Sequence, residues 1–525
     1  MGQQSVARNA LVVGLGNVGS RILGLVREQV IAVLFGASAA TDAFRVAFRV
    51  PLTLYDLMAG GMISAALVPV FSRYRKKEDR SEGELGVVAS TIINAQGLIS
   101  VLIVVLLSLL APLLMSFLAR GYPPEVQALS VDLLRILLPA LIFMCLSSVL
   151  TALLYAREQF NLPALAALAY NGGMLTGALL LSHVMGIASL AAGLGLGMAV
   201  QVLMQLPALR GLSYRFVLAL GHPQVREVVR LYLPVALGLI VSTIGIGIDT
   251  YLASYTCTGC LAALGFATTL VQFPLGLVAA GVGAAVLPVL SRYDPGATPE
   301  PEPPTDITET SLASYKNALS LALRLTLVAI VPAAIGLAVL REPVIRLLFQ
   351  HGAFDAAATQ RTATAFLGYS PGLVAAALDQ MLIYGFYARR QTLVPVLVGI
   401  AAMAVYLAAA LSLLGTLGMP ALAIANSVQW VSHAIIMGVL TYRAVGGMDG
   451  FGGTVWRTVV AGAALASTLV AVGGVLDLGG QTELISLAAT LAVTIVLGAA
   501  VYLGCLAMIG RAELGLLVGA LRRRR

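Results

Sequence analysis

Charge is the scarcest property of this chain. Of 525 residues only 11% are Asp, Glu, Lys or Arg, while 59% are hydrophobic, and the mean hydropathy is +0.94. Soluble domains carry about 25% charged residues, so the deficit and the long apolar runs identify a polytopic membrane protein. Cysteine is nearly as sparse, with four residues. Cys145 and Cys505 fall within apolar spans. Cys257 and Cys260 sit at a turn on the predicted outer side, where two thiols are too few for structural zinc and can hold a disulfide. The histidines, His183, His222, His351 and His433, are scattered, and there is no metal-ligand cluster, nucleophilic triad or paired carboxylate. Enzymatic chemistry therefore has no visible support, and no cofactor is expected beyond a coupling ion. The formal charge of +8 lies mostly in short loops between spans, so it does not indicate nucleic acid.

What the chain has is hydrophobic length. Each span needs about 20 apolar residues, and about fourteen candidates occur. They run approximately 9 to 35, 42 to 72, 88 to 118, 129 to 155, 163 to 183, 187 to 209, 228 to 256, 261 to 290, 314 to 340, 360 to 387, 394 to 415, 419 to 442, 455 to 476 and 483 to 509. The N-terminus lacks a small-residue cleavage site before a polar mature region, so it is read as the first retained span. Loops after even-numbered spans are basic, with Arg73, Arg75, Lys76, Lys77 and Arg80 after the second and Arg210 and Arg215 after the sixth. The chain ends on Arg522 to Arg525, and loops after odd-numbered spans are poorer in Lys and Arg. Both termini are predicted to be cytoplasmic. A Pro-rich acidic stretch at 294 to 306 reads as a flexible connection.

An internal duplication organises the spans. LVPVFSRY at 67 to 74 recurs as VLPVLSRY at 286 to 293, and LYARxQ at 154 to 159 recurs as FYARRQ at 386 to 391. Pro139 and Pro163 recur as Pro371 and Pro395, both at an offset of 232. The expected architecture is all-α, with two parallel six-span lobes at 1 to 220 and 221 to 450 and an appendage of two helices at 451 to 525. Transporters built from such halves hold their substrate path between them.

The first two spans carry the chain's most unusual residues. Arg21, Arg27, Glu28, Asp42, Arg45, Arg49 and Asp56 all fall within or beside membrane-length apolar sequence. A charge at the centre of a bilayer helix costs roughly 2.5 to 3.5 kcal/mol on insertion scales. These residues are expected to line a water-filled, mainly cationic cavity that admits an anion. Internal ion pairing and snorkelling are the plainer alternatives, with acids close to Arg45 and Arg49 in sequence. Asp42, Arg45, Arg49 and Asp56 share one helical stripe, with Pro51 a predicted kink.

Gly14, Gly16 and Gly19 spell G-x-G-x-x-G, but no strand-helix-strand alternation follows, so close helix approach explains them better than a dinucleotide. Asp249 and Asp379 are isolated acids within spans 7 and 10. Each can be a proton or Na⁺ relay, or part of a polar network at a cavity edge.

SRILGLVRE at 20 to 28, FGASAATDAFRVAFRVP at 35 to 51 and ALVPVFSRY at 66 to 74 resemble the opening of the MurJ (MviN) lipid II flippases of the MOP superfamily. The likeness continues through FPLGLVAAGVGAAVLPVLSRY at 273 to 293, LFQHGAFD at 348 to 355 and FYARRQTLVP at 386 to 395. The resemblance implies a V-shaped pair of lobes that alternates between inward-open and outward-open states in the bacterial plasma membrane. Lipid II would bind as a monomeric transporter's anionic, lipid-linked substrate, with its polyprenyl tail along the last two helices. Arg21, Arg27 and Asp42 match functional positions of the family, Glu28 replaces the usual Asp, and Arg49 matches a basic position. Two places depart from the family pattern. In span 2, Tyr55, Asp56 and Gly60 stand where a basic residue and a Glu before the Gly are usual; in span 8, Thr268, Thr269 and Gln272 stand where an acid-Arg pair and a Glu are usual. The expected substrate contacts are thus Arg21, Arg27, Glu28, Asp42, Arg45, Arg49, Asp56 and Thr269. Asp249 is the expected Na⁺ position. Another polyprenyl-linked glycan, a small solute, or a non-transporting scaffold are the alternatives.

Overall fold

The computed structural model describes residues 3–60, 62–74, 81–209, 213–291, 307–389, 391–481, 483–511, 513 and 515, giving only the backbone up to residue 18. The acidic connection at 294 to 306 and the basic residues Arg75, Lys76, Lys77, Arg80, Arg210, Arg292, Arg390 and Arg522 to Arg525 lie outside the described residues.

The described chain is helical and, among the described residues, contains no strand. A backbone in hydrocarbon must satisfy its own N–H and C=O groups, and a helix does so within one segment. The elements are α1 (Gln3–Phe35), α2 (Ala39–Tyr55), two π-helical turns (Asp56–Gly60 and Ile63–Leu67), α3 (Val68–Tyr74), α4 (Ser81–Leu118), α5 (Pro124–Ala156), α6 (Asn161–Met185), α7 (Ala188–Gln205) and α8 (Pro223–Ser254). They continue as α9 (Cys260–Ser291), α10 (Ile307–Val339), α11 (Arg341–Phe349), α12 (Ala356–Ala388), α13 (Leu393–Leu417), α14 (Met419–Val445), α15 (Phe451–Val475) and α16 (Leu484–Ile509). Among the described residues, 11 helices are long and apolar enough to cross a membrane. The three other expected spans are also helical, as α1, as α2 with its continuation to Tyr74, and as α8. The G-x-G-x-x-G run lies inside α1, where no phosphate-binding loop can form. Pro51 does not end α2, which continues to Tyr55 before the ladder loosens into the π-helical turns.

The duplication is visible residue by residue. Helices α5 and α12 are each 33 residues long, and α6 and α13 each 25. Both pairs of start positions differ by 232. Gly186 (φ 54°, ψ −135°) and Gly418 (φ 62°, ψ −135°) end the shorter pair in the same positive-φ conformation, which glycine adopts without a Cβ clash. Pro371 removes one donor from the α12 ladder. There Ser427 of α14 steps in: its hydroxyl donates to the Gly368 carbonyl at 2.6 Å and accepts from the Gly372 amide at 3.1 Å.

By packing, the described chain divides into two units, one of residues 1–262 with 351–354, the other of 263–350 with 355–525. In the first, Val225 and Val228 of α8 join a core with Phe71, Tyr74, Val88 and Leu153. Helix α8, assigned from sequence to the lobe starting at 221, thus shares a core with α3, α4 and α5. Residues 351–354 return to the first unit through the turn after α1: the Ala353 amide donates to the Val33 carbonyl at 2.8 Å. Gly36 (φ 62°) and Gly352 (φ 57°) meet there, and a Cβ on either would strike the Ala353 or the Val33 carbonyl. In the second unit, Val328, Leu465, Leu469, Leu491 and Leu506 tie α10, α15 and α16 into one core.

Helices α6 and α7 cross through glycine. A Cβ on Gly193 would lie 2.5 Å from the Gly173 carbonyl oxygen and 3.0 Å from Gly177 Cα, whereas nothing lies within 4 Å of one on Gly195. Such close approach lets backbones pack directly in a membrane. Gly193→Val is therefore expected to lower the thermal unfolding midpoint of the detergent-solubilised protein, and Gly195→Ala to leave it unchanged or slightly raised.

Candidate anion-binding site on the first two helices

Apolar positions on α1 and α2 bury Ile31, Ala32, Ala43, Phe44, Val46 and Ala47, which sets the charged positions against α6 and against each other. Glu28 is only 4% exposed and is the hub. Its Oε1 accepts from Arg27 Nη2 at 2.8 Å and its Oε2 from Arg45 Nη2 at 2.6 Å, so one carboxylate serves two guanidinium groups from two helices. Arg27 also donates through Nη1 to Asn171 Oδ1 at 2.9 Å and to the Tyr170 hydroxyl at 3.1 Å, with its guanidinium 5.6 Å from the Tyr170 ring centroid. Asn171 in turn donates to the Ser20 carbonyl and hydroxyl. The Arg27 Nε is buried and, among the described residues, has no hydrogen-bond partner.

Asp42 takes a different place. It is fully buried, and its carboxylate accepts from the backbone amides of Gly259 and, at 2.7 Å, Ala262. These amides open the first turn of α9, where free N–H groups and the helix dipole favour an anion. Cys257 and Cys260 form a disulfide in the same turn.

The internal ion pairing expected for Arg45 is present, but its close partner is Glu28 and not an acid of its own helix; Asp42 lies within electrostatic reach of Arg45 without a direct ion pair. Arg45 reaches across to Glu28 of α1, Asp42 is occupied by backbone, and neither Arg49 nor Asp56 has an ion-pair partner among the described residues. Arg21 is exposed on α1 and Asp56 is exposed after α2. In the second unit, Thr268 and Thr269 both donate their hydroxyls to the Gly265 carbonyl of their own helix. Asp249 lies half-buried on α8. Among the described residues no group of three or more His, Cys, Asp or Glu side chains gathers to hold a metal ion.

Tyr170 and Asn171 belong to the candidate site through their hydrogen bonds to Arg27 and are not among the residues expected from sequence. Their signal was present: they form an adjacent polar pair inside the apolar run PALAALAYNGGML. The amides of Gly259 and Ala262 had no side-chain signal to find.

Electrostatically, the Arg27, Glu28 and Arg45 cluster carries one excess positive charge, and Asp42 lies within electrostatic reach of Arg45. Guanidinium groups bind phosphate oxygens in bidentate fashion, which suits such a surplus to a phosphorylated anion.

Residues 31–503 match the family model described as lipid II flippase MurJ. The chain belongs to the MurJ family. The probable lipid II flippase MurJ of Haemophilus influenzae is 31% identical over 399 residues, covering 73% of this chain and 76% of that protein. The lipid II flippase MurJ of Burkholderia cenocepacia is 30% identical over 396 residues, covering 74% of each. Among solved structures, a lipid II flippase MurJ in an inward closed conformation superposes with a TM-score of 0.77 at 23% identity, covering 96% of this chain and 99% of that one. An inward-facing multidrug resistance MATE transporter of the MOP superfamily gives 0.64 at 15% identity, with 81% and 94% covered. At these identities the two structures show the fold alone.

Removing one member of a buried ion cluster leaves the others uncompensated, at a cost of about 3 to 5 kcal/mol. Glu28→Gln is expected to lower stability on that scale because it strands Arg27 and Arg45 together, and adding Arg45→Gln should recover part of the loss. Equilibrium denaturation of the three variants in detergent measures both effects.

Proposed function

We propose that this chain is a lipid II flippase, moving the lipid-linked peptidoglycan precursor between leaflets of the bacterial plasma membrane without covalent chemistry. Family membership supplies the cargo. The observation that carries the mechanism is the Glu28 hub, which holds Arg27 and Arg45 at fixed positions while leaving the site cationic. A diphosphate entering it would meet Arg27, whose orientation is already set by Tyr170 and Asn171, with Arg49 and Arg21 as further cations. Thr269 stands where the family usually supplies charge, so the arginines of α1 and α2 carry the anion. Asp56 sits at the end of this surface and tunes its charge.

The two repeats act as lobes of an alternating-access cycle, with both termini in the cytoplasm and the chain working as a monomer. Asp42 acts in this cycle as a latch: its carboxylate holds the first turn of α9 and must release it if that turn is to move. The last two helices, α15 and α16, guide the polyprenyl tail. A Na⁺ ion at Asp249 is one way to drive the cycle, drawing its remaining ligands from backbone and hydroxyl oxygens; the membrane potential is another.

Complementation of cells depleted of their own lipid II flippase tests this reading. Wild-type chain is expected to rescue growth, and Arg27→Ala to abolish rescue while the protein still inserts. Rescue by Arg21→Ala/Arg27→Ala would overturn the arginine mechanism. For the ion, transport into liposomes should fall on Na⁺ removal and in Asp249→Asn; insensitivity to both would reject Na⁺ at that position.

A further inference from the structure

The repeat offset of 232 relates Ser147 on α5 to Asp379 on α12, and Gln201 on α7 to His433 on α14. The structure makes the two pairs equivalent contacts. Gln201 Nε2 donates to Ser147 Oγ at 2.8 Å in the first repeat, and His433 Nδ1 lies 2.7 Å from Asp379 Oδ1 in the second. One copy of the fold therefore joins these helices with a pair that cannot titrate, and the other with a carboxylate and an imidazole. Both side chains of the second pair are largely buried, at 12% and 15% exposure.

The second ring nitrogen decides the protonation. His433 Nε2 faces the Pro395 carbonyl oxygen at 3.3 Å, and a carbonyl can only accept, so Nε2 carries hydrogen. At the other nitrogen either an imidazolium N–H donates to the carboxylate, or a protonated Asp379 donates to Nδ1. Both arrangements hold the same number of protons and are net neutral. Loss of one proton leaves a carboxylate and an imidazole with a single N–H. That N–H can satisfy Asp379 or Pro395 but not both, and the other nitrogen then turns a lone pair toward an acceptor. The contact that joins α12, α13 and α14 must open on one side.

From these contacts we infer that Asp379 and His433 form a proton-binding site whose occupancy sets the packing of α12, α13 and α14, and whose proton is a coupling ion for transport. The site takes one proton from water on one side and returns it to water on the other, with the cargo chemically unchanged. Among the described residues, Asp379 is the charged group that faces the imidazole. Helix α13 contributes the Pro395 carbonyl and the backbone of Gly399, where a Cβ would lie 3.9 Å from Nε2. Neither α10 nor α11, which pack on α12, nor the rest of α12, α13 and α14 brings a titratable group into hydrogen-bonding or ion-pair contact with the pair among the described residues.

The coupling role rests on the transport reading above; the proton site does not, and two measurements separate them. In the first, full-length chain in proteoliposomes moves lipid II under an imposed gradient of about one pH unit, which shifts the leaflet distribution by up to about tenfold per coupled proton. The variant D379S/H433Q installs the first repeat's own pair, and its distribution should ignore the gradient. An equal response in wild type and variant would overturn the coupling role. In the second, wild-type chain with ¹⁵N-labelled histidine is titrated in detergent from about pH 5 to 9, the range in which imidazoles change charge. With only four histidines, H433Q identifies the resonance. A transition at His433, accompanied by a change in the emission of Trp430 one turn earlier on α14 in a Trp456→Phe background, is the expected result. Flat signals from both would sink the site itself, whether or not lipid II is moved.

Discussion

A carboxylate shared between two guanidinium groups is the constraint on which the first unit depends. Hydrocarbon tolerates neither the arginines nor the acid alone, and a single buried Glu28 offsets part of the cost of Arg27 and of Arg45 at once. Because those three side chains come from α1 and α2, and Arg27 is also tied to Tyr170 and Asn171, the ionic contact fixes the placement of three helices. Complete neutralisation would give a stable but inert bundle. The two-to-one ratio leaves the polar wall held in place and still attractive to anions. On the proposed function, stability and substrate affinity draw on the same few atoms.

Most of the fold was legible because membrane helices are written in hydropathy. The fourteen expected spans each fall on a helical stretch, and the turn glycines at 186 and 418 sit one repeat apart. The charged stretch on α1 and α2 was legible for the same reason: Arg27 and Arg45 stand out against apolar neighbours. Their partners were harder to read. Helical periodicity relates residues on one helix, so it offered Asp42 as a neighbour of Arg45, whereas tertiary packing brought Glu28 across from α1 and left Asp42 to cap a distant turn. Backbone amides have no sequence signature at all, and Tyr170 with Asn171 formed a polar pair whose meaning appeared only once α6 lay beside α1.

The two repeats show how a duplicated frame can diverge. The lengths of α5 and α12, those of α6 and α13, and the chain reversals after α6 and α13 are kept, although α7 has 18 residues and α14 has 27. Polar contacts between helices are free to change provided each donor finds an acceptor. Glycine crossings illustrate the same freedom: Gly173, Gly177, Gly193 and Gly197 pass α6 against α7 at backbone distance, while their counterparts at 405, 409, 425 and 429 are Val, Ala, Ala and Gln. One frame thus supports a tightly packed crossing in one copy and a looser one in the other.

The turn after α1 has a consequence for how the molecule is made. Its backbone is completed by Gly352 and Ala353, more than three hundred residues further along the chain. During synthesis the helices carrying the arginine cluster enter the membrane early, yet the bond to Val33 waits until α11 has followed. Loop closure over that distance is slow compared with local helix formation. The growing protein therefore passes through a long interval in which its charged helices are inserted but the turn after α1 is unfastened. Stalling or truncation anywhere before residue 353 would leave an incomplete first unit in the bilayer, a species for membrane quality control to recognise.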